Sequence, residues 1–287
     1  MVIPNSELIL NADGSIYHLH LQPEQLAPTI ITVGDPDRVS GVSQYFDRVT
    51  DKVQHREFVT HTGELRGERI TVISTGIGTD NIDIVLNELD ALVNIDLATR
   101  TVKPQLTALR IIRIGTSGCL QADVPIDSFV ASSYGLGLDS LMDYYDYEDA
   151  DYILLDAFVH GGWDTGALPF PYLGIADADL LAQIAQKDIL RGITATCGGF
   201  YAPQGRHLRI KPYMDNFLPY LSSFRYKKQR ITNLEMETAG IYALANVLGH
   251  KALSVSALLA NRMTNEFSVQ PDKTVDKLIR LVLERLV

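Results

Sequence analysis

Short apolar runs that end at glycine alternate along this chain with segments whose apolar residues recur at helical spacing. The apolar runs predict buried strands, and the helical spacing predicts helices that bury one face. Strands that alternate with helices favour an α/β fold with a largely parallel or mixed sheet. The predicted strands are 29–33, 69–75, 109–114, 128–133, 193–197 and 252–259, and the predicted helices are 82–93, 177–187, 238–248 and 275–286.

The chain shows no internal repeat, low-complexity tract or linker, so we treat residues 1–287 as one domain. A length of 287 residues suits one large α/β domain or two small ones. The acidic, tyrosine-rich segment 139–156 lacks the glycine and ligand spacing of a calcium loop, and we predict a solvated loop there. Functional residues are expected where strands end in loops.

Charge and composition exclude several classes of partner. The net charge is −10, and no lysine or arginine occurs before Arg38 or between Arg113 and Lys187. A nucleic-acid-binding protein would normally carry a basic stripe, so nucleic acid and anionic membranes are poor partners. The chain has neither the basic start of a signal peptide nor an apolar run as long as a membrane span. Cys119 and Cys197 form no metal or disulfide pattern, and we therefore expect a cytoplasmic protein.

The tripeptide Glu235-Met236-Glu237 places two carboxylates beside an apolar segment. Buried carboxylates are costly unless something pairs with them. A sugar meets this need, because its hydroxyls donate to carboxylates while the Met236 thioether packs on its apolar face. The alternative is a helix N-terminus, where acidic residues complement the helix dipole.

Two arginines follow predicted strands in a way that suits an anion. Gly34 ends the first strand and can present backbone N–H groups, and Arg38 follows it. Arg113 lies near the end of a strand that looks buried, before the predicted loop 115–118 with Thr116. Because arginine is almost never fully buried unpaired, Arg113 with Thr116 suits a phosphate. The alternatives are an ordinary turn with a surface arginine at Arg38, and an arginine paired with a core acid at Arg113.

A third group, Phe200, Gln204 and Arg206, follows Gly198-Gly199. An aromatic ring can stack on a planar base, and a glutamine can both donate and accept along an imide edge. Arg206 can donate to a carbonyl oxygen. The three side chains together match uracil, and the alternative is a glycine-rich loop without a ligand.

In this order the motifs resemble those of the nucleoside phosphorylase-I superfamily, and within it they are most similar to the uridine phosphorylases. The matches extend from Tyr17-His18-Leu19 to Asn261-Arg262. The resemblance implies a single-domain, three-layer α/β fold with a central mixed, partly barrel-like sheet flanked by helices. It also implies self-association as dimers, often into hexamers, with an active site shared between subunits.

The activity implied by the resemblance is pentosyl transfer: reversible phosphorolysis of uridine to uracil and ribose 1-phosphate. Inorganic phosphate is a co-substrate, and no cofactor is implied. The implied phosphate-binding residues are Gly34, Arg38, Arg113 and Thr116, with Arg56 from the neighbouring subunit. The implied ribose-binding residues are Glu235, Met236 and Glu237, with His18 from the neighbour. The implied uracil-binding residues are Phe200, Gln204, Arg206 and Arg262. Catalysis would rest on Arg113, Glu237, Gln204 and Arg206.

Two positions distinguish this chain from other branches of the superfamily. Purine phosphorylases and related nucleosidases carry Ser-Asp where this chain has Asn261-Arg262, and here no acid follows until Glu266. Members with a potassium site use a glutamate that matches Glu57 and a serine in the loop that here reads Thr79-Asp80-Asn81, so the chain departs from that pattern. The alternatives to a uridine phosphorylase are a purine nucleoside phosphorylase or nucleosidase of the same superfamily, and a non-catalytic nucleoside-binding protein.

Overall fold

The computed structural model describes residues 2–287, and these residues form an α/β fold. Helices α1 to α7 are Asp37–Ser43, Thr79–Asn94, Tyr152–His160, Ala178–Ile184, Phe217–Ser223, Thr238–Val247 and Pro271–Leu286. Strands β1 to β14 are Thr29–Val33, Arg48–His55, Phe58–Leu65, Glu68–Ser74, Ile95–Asp96, Thr101–Val102, Arg110–Cys119, Phe129–Leu138, Tyr172–Ile175, Leu190–Cys197, Arg225–Tyr226, Gln229–Glu235, Lys251–Asn261 and Glu266–Phe267. Short 3₁₀ helices occupy Pro23–Gln25, Leu141–Tyr144 and Ala202–Gln204. None of the helices in this part of the chain combines the length and apolar character needed to cross a bilayer.

Most of the strands form one mixed sheet in the order β11-β12-β10-β8-β13-β7-β1-β4-β3-β2. Strand β12 also pairs antiparallel with β7, through Asn233 opposite Cys119. This second pairing closes β7, β13, β8, β10 and β12 into a five-stranded barrel. The predicted mixed, partly barrel-like sheet flanked by helices is therefore confirmed.

The apolar patterns account for the placement of the main elements. All five residues of β1 are buried, as expected for a strand between two parallel neighbours, β4 and β7. Helix α2 buries Ile82, Leu86 and Leu89, which recur at helical spacing. Helix α6 lies against β8 and β9, where Gly135 and Gly174 allow a close approach: a Cβ added at Gly135 would lie 2.7 Å from the Cα of Ala239.

Strand β7 is longer than predicted. The glycines at 115 and 118 indicated a loop, but β7 continues to Cys119. The reason is that β13 pairs along this stretch, with Gly115 opposite Ser256 and Ser117 opposite Leu258. The loop predicted at 115–118 was wrong, and Thr116 and Ser117 lie on a strand instead.

The segment 139–156 is more ordered than the predicted solvated loop. Asp139 accepts hydrogen bonds from the Tyr172 hydroxyl at 3.1 and 3.0 Å, and Asp151 caps α3 by accepting from the Leu154 N–H at 3.0 Å. Met142 is buried. Asp139, Asp149 and Asp151 accept hydrogen bonds within the fold, and residues 141–144 and 152–156 are helical, so the prediction was wrong for these parts. Asp143, Asp146 and Glu148 are exposed, as predicted.

Candidate active site

A cleft of about 820 Å³ opens where several strands of the sheet end. It is lined by the turn after β1, the turn after β4, the end of β7, the loop after β10, the segment that joins β12 to α6, and the end of β13. Ten of the residues singled out in the sequence line this cleft: Gly34, Arg38, Arg113, Thr116, Phe200, Gln204, Arg206, Glu235, Met236 and Glu237. The three predicted groups are thus brought together in one place.

A buried arginine that pairs with two carboxylates lines the cleft. Arg113 is 5% exposed, and its Nη2 lies 3.1 Å from Glu235 Oε2 and also pairs with Glu237 Oε2. Its Nη1 donates to Ser256 Oγ at 3.3 Å. The alternative of an arginine paired with core acids is therefore what the structure contains, although the same guanidinium also faces the cleft.

Both carboxylates also lie at helix N-termini. Glu235 accepts from the backbone N–H groups of Glu237 and Thr238, each at 3.0 Å, at the start of α6. Glu237 accepts from the N–H of Gly78, at 2.9 Å, at the start of α2. The two carboxylates therefore have protein partners before any sugar binds, and the helix N-terminus considered as the alternative is present as well.

Burial and the neighbouring charges shift the pKa values of Glu237, Arg113 and Arg38. Burial raises the pKa of Glu237, although Arg113 opposes the shift. Burial lowers the pKa of Arg113, but Glu235 and Glu237 outweigh it, and the pKa of Arg113 is raised. Burial, and then the nearby charge of Arg113, lowers the pKa of Arg38. Two arginines whose charges repel each other inside a cleft favour an anion between them.

The Phe200–Arg206 segment contributes one wall of the cleft, through Phe200, Gln204 and Arg206. Gln204 is 2% exposed, and its Oε1 accepts from Arg206 Nη1 at 2.6 Å. Because arginine can only donate, this contact sets the Gln204 oxygen toward Arg206 and its NH₂ group away from it. Arg206 also lies 3.7 Å above the Phe200 ring, so one face of the ring expected to stack on a base is covered by the guanidinium. Burial, and then Arg262, lowers the pKa of Arg206 to about 10.

Three predicted site residues do not line the cleft of their own chain. Arg262 does not line the cleft itself, but its guanidinium donates to the backbone carbonyl of Gln204, which does, at 3.1 Å. His18 pairs with Glu88 at 2.6 Å, and Arg56 lies 5.3 Å from the centre of the Tyr17 ring. His18 and Arg56 therefore contact Glu88 and Tyr17, and their side chains do not line the cleft.

Sequence reasoning missed several contributions to the cleft, and two of these hold its carboxylates. The sequence analysis assigns no role to the Gly76-Ile77-Gly78 turn, yet Gly76 and Ile77 line the cleft and the Gly78 N–H donates to Glu237. A strand that ends in glycine was the available signal, as it was at Gly34. Thr196 had no such signal: its hydroxyl donates to Glu235 Oε1, on the neighbouring strand β12, at 2.7 Å.

The fold is that of the phosphorylase superfamily. Residues 28–287 match the family model of the phosphorylase superfamily, and the chain belongs to this family. It is 31% identical over 267 residues to a uridine phosphorylase of Thermococcus kodakarensis, a match that covers 91% of this chain and 83% of that protein.

Two further comparisons show similarity to other nucleoside phosphorylases. A solved structure of a Trypanosoma brucei nucleoside phosphorylase, described as showing uridine phosphorylase activity, has a TM-score of 0.89 and 29% identity, and covers 97% of this chain and 99% of that one. A DeoD-type purine nucleoside phosphorylase of Buchnera aphidicola is 24% identical over 273 residues, which is 94% of this chain and 98% of that protein.

Proposed function

We propose that this protein is a uridine phosphorylase, a pentosyltransferase that converts uridine and phosphate reversibly into uracil and ribose 1-phosphate. The observation that carries the proposal is the Gln204–Arg206 pair, which faces the same cleft as Arg113 and its two carboxylates. The relatives whose names include uridine phosphorylase support it. No cofactor enters the scheme, since inorganic phosphate is the second substrate.

Phosphate would lie between Arg38 and Arg113, with Thr116 and the backbone of Gly34 completing its contacts. The Glu235 and Glu237 carboxylates would accept hydrogen bonds from ribose hydroxyls. Phosphate held in this way is aimed at the anomeric carbon, and positioning of two reactants can remove on the order of 7–11 kcal/mol of a barrier.

Cleavage of the glycosidic bond leaves negative charge on the base. The Gln204 NH₂ group, and the N–H groups of Arg206 that are not bonded to Phe200 or Gln204, would donate to the uracil carbonyls. A donor aimed at developing charge is worth roughly 3–4 kcal/mol in the transition state. Arg262 would act indirectly, because it holds the Gln204 backbone.

The positions of His18 and Arg56 support a site shared between two subunits. Both residues fall outside the lining of their own cleft, although Glu57, next to Arg56, is part of it. The turn that carries Arg56, between β2 and β3, is exposed. In a dimer, Arg56 would reach the partner's phosphate and His18 the partner's ribose.

The position that distinguishes the purine enzymes argues against a purine substrate. Asn261 donates to the carbonyls of Gln121 and Val124 at 2.9 and 3.2 Å and accepts from the Met263 N–H, so its amide is fully occupied by backbone. Arg262 is directed at Gln204. Neither residue can protonate a purine as an aspartic acid would.

The first test measures base release from uridine, inosine and methylthioadenosine, each with and without phosphate. We expect phosphate-dependent release of uracil to be the fastest reaction. Faster cleavage of inosine with phosphate would identify a purine nucleoside phosphorylase, and cleavage without phosphate a nucleosidase. Uridine binding without turnover would identify a nucleoside-binding protein.

Gln204→Ala tests the base wall. The variant should lower kcat/KM for uridine by about 10²-fold, because a donor to the leaving base is lost. The KM for phosphate should change by no more than about twofold, since separate subsites act nearly independently. The exposed Gln44 provides a matched control, and Gln44→Ala should leave both parameters unchanged. Equal losses for uridine and phosphate would refute the assignment of Gln204 to the base.

A further inference from the structure

Two threonines of β10 lie opposite two residues of the neighbouring strand β12, and each donates a hydrogen bond to the side chain opposite it. Thr196 is paired with Glu235 and Thr194 with Asn233 in the strand register. The Thr194 hydroxyl donates to Asn233 Oδ1 at 2.9 Å. The first contact holds a carboxylate already assigned to the cleft, whereas the second belongs to a longer chain of polar groups.

This chain continues at both ends. Thr194 Oγ1 lies 2.6 Å from Ser132 Oγ on β8, and Asn233 Nδ2 donates to Ser117 Oγ on β7 at 3.0 Å. We call Ser132, Thr194, Asn233 and Ser117 the hydroxyl–amide chain. The first three side chains belong to residues that are 0% exposed, while Ser117 is partly exposed and lines the cleft. The chain therefore connects the barrel interior with the candidate site.

The buried end determines the direction of the hydrogen bonds. A glutamine or asparagine amide can be turned over, and the reversed chain would run from Ser117 to Asn233, then to Thr194 and Ser132. In that direction the Ser132 hydrogen would need an acceptor, and residues 2–287 offer its Oγ no partner other than Thr194. A buried donor without an acceptor is strongly disfavoured. The chain therefore runs from Ser132 to Thr194, Asn233 and Ser117.

This direction leaves Ser117 with one free hydrogen. Its oxygen accepts from Asn233, and among residues 2–287 its hydroxyl has no acceptor of its own. The hydrogen is therefore available only to the contents of the cleft. Ser117 borders on the base wall, because a Cβ added at the next residue, Gly118, would lie 3.5 Å from Arg262 Cγ, and Arg262 bonds Gln204.

We propose that Thr194 and Asn233 are positioning residues that hold Ser117 as a hydrogen-bond donor to the leaving base. The base gains negative charge as the glycosidic bond breaks, so a hydroxyl held as a donor stabilises the transition state more than the ground state. This inference rests on the proposed phosphorolysis for its chemical role. The direction of the hydroxyl–amide chain rests on the geometry alone.

The test compares two variants that each remove one buried hydroxyl of the same chain. Thr194→Val removes the donor to Asn233, which frees the amide to turn over, and kcat/KM should fall about tenfold, the value of one ordinary hydrogen bond. Thr194→Ser retains the donor and should retain activity. Ser132→Ala is the matched control: without Ser132, reversal would leave the Thr194 hydrogen without an acceptor, so the direction and the activity should persist.

A double-variant cycle shows whether Thr194 acts through Ser117. Ser117→Ala alone should lower kcat/KM by about the same factor as Thr194→Val. The double variant should lower kcat/KM no further than Ser117→Ala does. Multiplied losses, or a loss in Ser132→Ala as large as in Thr194→Val, would show that Thr194 is only a structural residue. Thermal midpoints identify variants that fail to fold. If Thr194→Val fails to fold, Thr194→Ser keeps the comparison valid.

Uracil binding, measured by calorimetry over the same variants, separates this inference from the proposed function. If uridine is not cleaved but uracil affinity follows the expected cycle, the phosphorolysis fails and the role of the hydroxyl–amide chain stands. If uridine is cleaved but neither affinity nor kcat/KM follows the cycle, the positioning role fails alone. A protein that neither cleaves uridine nor binds uracil refutes both.

Discussion

At the scale of single residues, the cleft depends on space as much as on charge. Arg113 folds back over Gly115, two residues along the same strand, so its guanidinium occupies the volume of a side chain at that position. A Cβ at Gly115 would lie 1.8 Å from Arg113 Nη1. The glycine that suggested a loop in the sequence is therefore required on a strand, because it makes room for a buried cation.

We expect Gly115→Ala to reduce phosphorolysis by about 10²-fold, since a misplacement of about 1 Å at a reacting centre can have that effect. The methyl group must displace the guanidinium from Glu235 and Glu237. Steady-state kinetics with both substrates measure the loss. In an Arg113→Ala background, Gly115→Ala should add little, because the displaced group is already absent. Full activity in Gly115→Ala would show that the observed position of Arg113 is not needed.

At the scale of elements, the position of α6 decides where the carboxylates lie. Glu235 ends β12 and Glu237 immediately precedes α6, so any movement of the helix moves both acids. Close contact with β8 and β9 through Gly135 and Gly174 holds the helix in place. The sequence predicted this helix but could not predict what it packs against.

Gly135→Ala should lower the free energy of unfolding by about 1–3 kcal/mol, because the new methyl group would meet backbone atoms of Ala239. Urea unfolding measures the change, and phosphorolysis should fall with it as α6 shifts. Gly41→Ala in helix α1 is the matched control. Its nearest contact would be 4.0 Å, to Ile279 Cδ1, so it should stabilise the protein by about 0.5–1 kcal/mol. Equal effects of the two variants would contradict the role of Gly135.

At the scale of the whole molecule, the cleft is assembled from distant parts of one chain and, as proposed, from a second chain. Residues from Gly34 to Phe267 line it. His18 pairs with Glu88 and Arg56 lies over the Tyr17 ring, and neither residue lines the cleft of its own chain. A phosphate site that lacks Arg56 would be incomplete in an isolated subunit.

Mixing two inactive variants tests the shared site. Arg56→Ala and Glu237→Gln should each be nearly inactive as pure proteins. After dissociation and random reassociation as dimers, each mixed dimer would contain one intact site, which restores about a quarter of the wild-type activity. Either variant mixed with itself is the control. Absence of any recovery in proven mixed dimers would show that Arg56 serves its own chain or no site.

The degree to which sequence predicted this protein differs between elements and contacts. Strand β1 was predicted to the residue, because an unbroken apolar run reports its own burial. The strand predicted for β7 ended before Gly115, whereas the observed strand continues to Cys119, because a glycine is typical both of a turn and of a crowded strand. Phe200, Gln204 and Arg206 were correctly grouped in the cleft, but the stacking of Arg206 on Phe200 was not foreseen.

The sequence by itself determined the alternation of strands and helices and the kinds of side chain that meet in the cleft, because periodicity and residue type depend on the local chain. Only the tertiary structure decided that Arg113 pairs with both Glu235 and Glu237, that β12 closes the barrel on β7, and that hydrogen bonds connect buried Ser132 with Ser117 in the cleft. The Arg113–Glu237 contact joins residues 124 positions apart. Such pairings depend on how elements pack together, and the local sequence pattern carries no record of the partner.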